Sequence, residues 1–260
     1  MSATPPRFAP PRQAIALRRG SSLARGLVYD IDPALGIKEQ AYRRDMTVTG
    51  SLVASEQGLA RTQTSTARAF VIPDFVEQRS AAVTLWTRVR RTGTVGDYCT
   101  IIGKNWQGNT GPSFVSYDLT INPGDAAGQN NIRANKGYSG GIRAITATHG
   151  DTSQWFDAGL VIDSTGLYLY LDGVLAASNV VDDPTSAITY GGSGNNDWMT
   201  NIGSTTAPLD YARIRQWNRA LTAAEMAELS NKTQPLSGFE RSLTTRLDLI
   251  QTLVPLRLGL

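Results

Sequence analysis

An imidazole-dependent nucleophile relay could draw on one residue only, His149, and a thiol nucleophile on one, Cys99. Multi-histidine and cysteine-based zinc sites are therefore excluded, as is a disulfide framework. Glycoside hydrolysis needs two carboxylates about 5–10 Å apart, one acting as acid and the other as base or nucleophile. The strand signature for that pair, E-x-D-x-E, is absent: the six glutamates are Glu39, Glu56, Glu77, Glu225, Glu228 and Glu240. Asp157 with Asp163, or Asp182 with Asp183, lie close in sequence but read as loop and turn residues. The chain is thus expected not to be an enzyme. Calcium takes about six to eight oxygens, and Asp118, Asp125, Asn130, Asn131, Asn195, Asn196 and Asp197 could supply them. The same residue types are what turns require, so no cofactor is expected, with calcium the one alternative. Three loops place an aromatic among polar groups: Trp106 in KNWQGN, Tyr138 in NKGYSGG and Trp198 in GNNDWM. Such rings serve either as sugar-stacking platforms or as caps and subunit contacts, where Tyr and Trp are also enriched.

The charge is small and uneven. Lysine and arginine total 25 against 22 aspartates and glutamates, a formal +3. Arg7, Arg12, Arg18, Arg19 and Arg25 account for +5 of this in an acid-free stretch, leaving a body of −2. That body is not a nucleic-acid surface by composition. The stretch itself has one Phe and no Tyr or Trp for stacking, so nucleic acid is not an expected partner. Arginine suits ion pairs between subunits, and protein contact is the favoured reading of these five residues.

The elements that must position these groups fall into three parts. Residues 1–25 carry Pro5, Pro6, Pro10 and Pro11, which fix φ and remove backbone donors. They are expected to form an extended arm. AIAL is too short for the core of a secretory signal,. Residues 235–260 form an apolar tail. Leu243, Leu247, Ile250 and Val254 stand at helical spacing before Pro255, and Leu256, Leu258 and Leu260 alternate after it. A short helix and an extended end follow from this pattern, with Leu247, Ile250, Leu253 and Leu256 the expected contacts to a neighbour. No apolar run approaches the ~18 residues of a membrane span.

Between the arms, residues 26–234 read as short strands. AVTLWTRVR sets Val83, Leu85 and Thr87 against Trp86 and the arginines. SFVSYDLTI sets Val115, Tyr117, Leu119 and Ile121 against Phe114, Ser116, Asp118 and Thr120. YARIRQWN opposes Ile214 and Gln216 to Arg213, Arg215 and Trp217. GLYLYLDGVLAA is a hairpin whose Asp172-Gly173 suits a type I′ turn. One internal helix is predicted, with Thr222 as its cap and Glu225 completing a capping box. Strands separated by turn signals make an all-β antiparallel sandwich.

Three stretches carry a resemblance: WFDAGLVIDSTGLYLYLDGVLAAS, IGSTTAPLDYARIRQWNRALTAAEMAEL, and GLARTQTSTARAFVIPDF with the strand after it. Together they resemble the concanavalin A-like, laminin-G-type jelly-roll domains, over about residues 58–230, with ARGLVYDID supplying a first strand. The family's final strand often carries an acidic residue where Ala212 or Arg213 stands here. A calcium site of the family's rim type is therefore not carried over. Fold alone does not give function. The arms and the fold analogy together lead to the expectation of a non-enzymatic structural protein of a virion, a bacteriophage capsid-decoration or tail-associated protein. It would be made in a host cytoplasm, with its arms contacting other virion subunits or copies of itself. The alternative is a lectin-like module for surface glycan through Trp106, Tyr138 and Trp198. A glycoside hydrolase ranks third.

Overall fold

The computed structural model describes residues 22–31, 47–48, 52–55, 58–61, 70–94, 99–105, 115–121, 128–138, 141–180, 187–190, 196–198 and 209–231. Among them, two antiparallel sheets face each other. The eight-stranded sheet runs β13 (Val174–Val180), β12 (Gly166–Leu171), β11 (Phe156–Ile162), β6 (Val83–Arg91), β15 (Leu209–Trp217), β4 (Gly58–Arg61) and β3 (Leu52–Ser55), with β1 (Leu27–Ile31) also pairing β15. The seven-stranded sheet runs β10 (Gly141–Thr148), β9 (Asn131–Tyr138), β8 (Val115–Ile121), β7 (Cys99–Asn105), β14 (Asn196–Trp198), β5 (Phe70–Ile72) and β2 (Thr47–Val48). No described helix is long and apolar enough to cross a membrane.

Alternation decides which side chains enter the space between the sheets. Val83, Leu85 and Val89 come from β6, Leu160 and Ile162 from β11, and Tyr117, Leu119 and Ile121 from β8. Two tyrosines bridge the sheets. Tyr211 Oη donates to the Ile101 carbonyl at 2.6 Å, and Gln216 Nε2 donates to Tyr117 Oη at 2.7 Å. The turn after Ile72 reaches into the same interior, where Lys104 Nζ donates to Asp74 Oδ1 at 2.5 Å and to Gln78 Oε1 at 3.1 Å.

The predicted hairpin is present. Asp172 and Gly173 have φ of 49° and 80° between Leu171 and Val174, the two positive values that a type I′ turn requires. The predicted helix is α1 (Ala223–Leu229), and Thr222 and Glu225 form the capping box. It lies on the outer face of the eight-stranded sheet, where Met226 packs with Trp86, Val161, Tyr170 and Trp217. Arg219 pins this corner: it binds both carboxylate oxygens of Glu225 and donates to the carbonyls of Ser22 and Arg25. Hydrogen bonds from Arg219 hold the Glu225 carboxyl down at about 2. Thr222→Ala, which removes the cap from the Glu225 amide, is expected to cost about 1 kcal/mol in chemical denaturation.

Residues 22–25, the end of the expected arm, sit on this corner. Leu23 is buried, and its carbonyl accepts Trp217 Nε1 at 2.7 Å. Arg25 is exposed. Arg7, Arg12, Arg18 and Arg19 lie outside the described residues, as do Leu247, Ile250, Leu253 and Leu256. The final strand explains its missing acid. The register shifts between Tyr211 and Arg213, putting a bulge at Ala212, and Arg213 meets Asp30 of β1 instead.

Candidate functional site on the outer face of the seven-stranded sheet

The alternation that sends Tyr117, Leu119 and Ile121 inward sends Ser116, Asp118 and Thr120 to the opposite face of β8. On β9, Ile132 and Ala134 point inward while Arg133 and Asn135 share that outer face. On β7, Thr100 lies across from Thr120 and Gly103 across from Asp118. Three adjacent strands thus lay down a polar patch.

At its centre the side chains are linked in order. Arg133 Nε donates to Asn135 Oδ1 at 2.9 Å, and Asn135 Nδ2 donates to Asp118 Oδ1 at 2.6 Å. The other carboxylate oxygen, Asp118 Oδ2, is buried and meets no hydrogen-bond partner. Burial pushes the Asp118 carboxyl up to about 7, although the Asn135 hydrogen bond and the Arg133 charge oppose it. Near neutrality this oxygen both donates and accepts, which matches a hydroxyl. Gly103 permits the arrangement, because a Cβ there would lie 2.4 Å from the Asp118 Cβ. Across Gly103 in register stands Asp197 of β14, so one cross-strand row runs Asp197, Gly103, Asp118, Asn135.

The three candidate aromatics are not gathered in one place. Trp198 is on β14 in register with Ile102, one position from that row. Tyr138 ends β9 at the hairpin to β10, about 20 Å away by strand spacing and rise. One face of its ring carries the Arg143 guanidinium, 4.8 Å from the centroid. Trp106 lies outside the described residues.

The calcium donors are also spread. Asn130 is committed to Thr152 and Gly150, while Asp118 lies across from Asn135, well along β9. Asp125 and Asn195 lie outside the described residues, and of Asn196 and Asp197 only the strand positions are described. Among the described residues no three His, Cys, Asp or Glu side chains gather around a potential metal position.

Asp157 corrects the sequence reading. It is buried within β11 rather than in a loop, with Arg88 Nε 3.8 Å away. It takes the outward face of β11, between the core residues Phe156 and Ala158, with Arg88 across from it in register. Asp163 does sit in a turn, where Oδ1 accepts the Thr165 and Gly166 amides. The two stand at opposite ends of β11, about 20 Å apart, too far for an acid and base to share one glycosidic bond. Asp182 and Asp183 lie outside the described residues. His149 has both nitrogens engaged: Nδ1 accepts the Asp151 amide at 3.1 Å and Nε2 faces Asp172 Oδ2 at 3.0 Å. Its ring packs on Phe156, so it braces a loop. Cys99 is buried.

The relay is not legible in the sequence because nothing in NIRANKGY, which alternates through Asn135, says that its strand lies beside SFVSYDLTI. Asp118 stood out only as one oxygen donor among several.

No curated protein matches the sequence. Solved structures share the fold at low identity. A botulinum neurotoxin type C structure, concerned with its interaction with two ganglioside molecules, is 12% identical with a TM-score of 0.61, covering 81% of this chain and 52% of that one. The binding domain of botulinum neurotoxin DC, in complex with rat synaptotagmin II, is 12% identical with a TM-score of 0.62, covering 80% and 52%. Trypanosoma rangeli sialidase is 15% identical with a TM-score of 0.60, covering 82% and 34%. This chain therefore spans about half of the neurotoxin chains and a third of the sialidase. The laminin G family model, described as the concanavalin A-like lectin/glucanases superfamily, matches residues 50–227. With every strand but β1 and β2 inside that stretch, the chain belongs to the concanavalin A-like lectin/glucanases superfamily.

Proposed function

We propose that this sandwich is a non-catalytic carbohydrate-recognition module, with its binding groups on the outer face of the seven-stranded sheet. The observation that carries the reading is Asp118 Oδ2, a buried oxygen left open at the end of the Arg133–Asn135–Asp118 relay. A buried polar group without a partner costs roughly 1–3 kcal/mol, and a sugar hydroxyl supplies the missing bond. The neighbours give support at the level of the fold: one concerns an interaction with gangliosides, and another is a sialidase. Because Asp118 is buried, entry of a ligand includes the cost of opening that face. Affinity for a monosaccharide is expected at ~1 mM, about −4 kcal/mol.

The test is a glycan screen on the full chain, followed by calorimetry on hits. Asp118→Ala is expected to weaken binding at least tenfold while the far-ultraviolet circular dichroism spectrum stays unchanged. A screen without hits at millimolar sugar, or hits indifferent to Asp118, removes the reading.

The proline- and arginine-rich start and the leucine-rich end favour a second role, compatible with the first, as a structural protein of a virion whose arms contact neighbouring subunits. Comparing the particle mass of the full chain with that of residues 22–231 tests it. An assembly lost on trimming supports the role, and monomers of both remove self-assembly through the arms.

A further inference from the structure

One cross-strand row on the inward face of the seven-stranded sheet runs Lys104, Tyr117, Lys136, Arg143. Tyr117 belongs to the core between the sheets, as do Ala134 on β9 and Ile145 on β10, each two residues from its own strand's member of the row. A period of two therefore sends Lys136 and Arg143 to that interior side. Cations on an inward face call for an explanation, because a buried charge is tolerated where something pairs with it.

The two lysines of the row are provided for differently. Lys104 is 2% exposed, and its ammonium donates to Asp74 Oδ1 and Gln78 Oε1. Lys136 is 4% exposed, yet among the described residues it meets no carboxylate at ion-pair distance and no hydrogen-bond acceptor. Asp163 attracts it only from farther off, and Asp163 Oδ1 is held by the Thr165 and Gly166 amides of its own turn. Its neighbour in register is instead a second cation, Arg143, with side-chain origins about 5 Å apart. Burial, and then repulsion from Arg143, lower the proton affinity of Lys136. A guanidinium keeps its charge throughout the working pH range of a protein, so the pair stays positive even where Lys136 gives up its proton. Arg143 and Tyr138, whose ring the guanidinium covers, are half-buried, which puts the pair at the margin of the interior beside the β9–β10 hairpin.

The missing element is a counter-ion. An ammonium offers three donors and a guanidinium a planar fork of them, a set that matches the several acceptor oxygens of an oxyanion. A neutral hydroxyl would fill a donor and leave the charge uncompensated. We propose that Lys136 and Arg143 form an oxyanion-binding site at the β9–β10 margin of the sandwich interior, taking a free phosphate-type ion or the acidic group of a sugar. The site is independent of the Asp118 patch: Asn135 and Lys136 are consecutive on β9 and lie on opposite faces of the sheet.

Thermal unfolding of the full chain in sodium phosphate from about 0.1 to 30 mM tests it, with sodium chloride holding the ionic strength constant so that screening does not vary. A ligand of the folded state raises Tm with its concentration. The expected result is a rise in wild type with an apparent dissociation constant of about 1 mM, weakened at least tenfold in Lys136→Met and, separately, in Arg143→Gln. Methionine keeps most of the lysine stem and removes the buried charge, and Arg143 is half-buried, so both chains are expected to fold, with circular dichroism as the check. Parallel series with glucuronate and glucose name the source: a response to phosphate alone indicates a free ion, and one to glucuronate but not to glucose an acidic sugar. No response to phosphate or glucuronate in wild type overturns the proposal. So does a response of equal size in wild type and both variants, which would place the anion on other basic residues. A response to glucose equal to that to glucuronate, with none to phosphate, belongs to the Asp118 face and also overturns it.

Discussion

Asp30→Ala is expected to destabilise the domain by about 3–5 kcal/mol, the loss seen when one member of a buried ion cluster is removed. Asp30 is buried on β1 and holds two guanidiniums. Oδ1 accepts from Arg213 Nε at 2.8 Å and from Arg215 Nε at 3.0 Å, and Oδ2 accepts from Arg213 Nη2 at 2.7 Å. Burial alone would raise the carboxyl, but the Arg215 and Arg213 charges and hydrogen bonds outweigh it and hold the group below its ordinary value. Without the carboxylate, two like charges remain side by side on β15. Arg215 keeps only part of its support from the Trp86 ring, 5.7 Å from its guanidinium. The pH sign follows from the lowered value. Asp30 contributes fully above the unfolded carboxyl range near 4 and loses its contribution as the pH falls further. Urea denaturation at pH 7 and pH 3 checks both statements: the gap between wild type and variant should be large at the first and about 1 kcal/mol smaller at the second. Equal stability at pH 7 would mean that the cluster contributes nothing net.

Asp118→Asn is expected to act in the opposite sense. The wild-type carboxyl keeps its proton in the folded chain up to about 7, whereas the unfolded chain releases it near 4. Between those values the folded state binds more protons, so this group's stabilisation is complete below about pH 4 and falls as pH rises to about 7. Asparagine is uncharged throughout and still offers an oxygen to Asn135 Nδ2 at the position of Asp118 Oδ1. The variant should therefore match wild type near pH 4 and exceed it by about 1–3 kcal/mol at pH 8, each pK unit being worth about 1.4 kcal/mol. Parallel profiles for the two proteins would show that the carboxyl is ionised and solvated in the folded chain. The same substitution keeps the acceptor that faces Asn135 but puts an NH2 in place of Oδ2, which donates and cannot accept,. Weakened sugar binding in a more stable protein would then separate a binding role for Asp118 from a structural one.

Much of this architecture is legible in the residues. Alternation in AVTLWTRVR and SFVSYDLTI assigns Leu85 and Leu119 to the interior and Trp86 and Asp118 to the outside, because a strand has a period of two whatever its neighbours. Asp172-Gly173 specifies its turn because few other dipeptides tolerate two positive φ values. Thr222 and Glu225 specify the start of α1, since a capping box is closed within four residues. The stretches resembling laminin-G-type domains gave the superfamily, and their order gave the sandwich. All of these are short-range signals.

The chemistry depended on strand neighbours that no short-range signal encodes. Asp30 and Arg213 are far apart along the chain and meet because β1 pairs with β15. Arg133, Asn135 and Asp118 form one relay because β9 lies beside β8, and Asp197 joins their row because β14 inserts beside β7. The edge position of β13, which leaves Val174 and Val180 exposed, is likewise a matter of sheet order. The sequence by itself determined the strands, their inward faces, the hairpin turn, the helix cap and the superfamily. Only the tertiary structure decided which carboxylates are paired, which oxygen is left open and which strand stands at the edge. Pairing across a sheet is set by the packing of the whole sandwich, and burial alters a carboxyl's proton affinity only after the two sheets close.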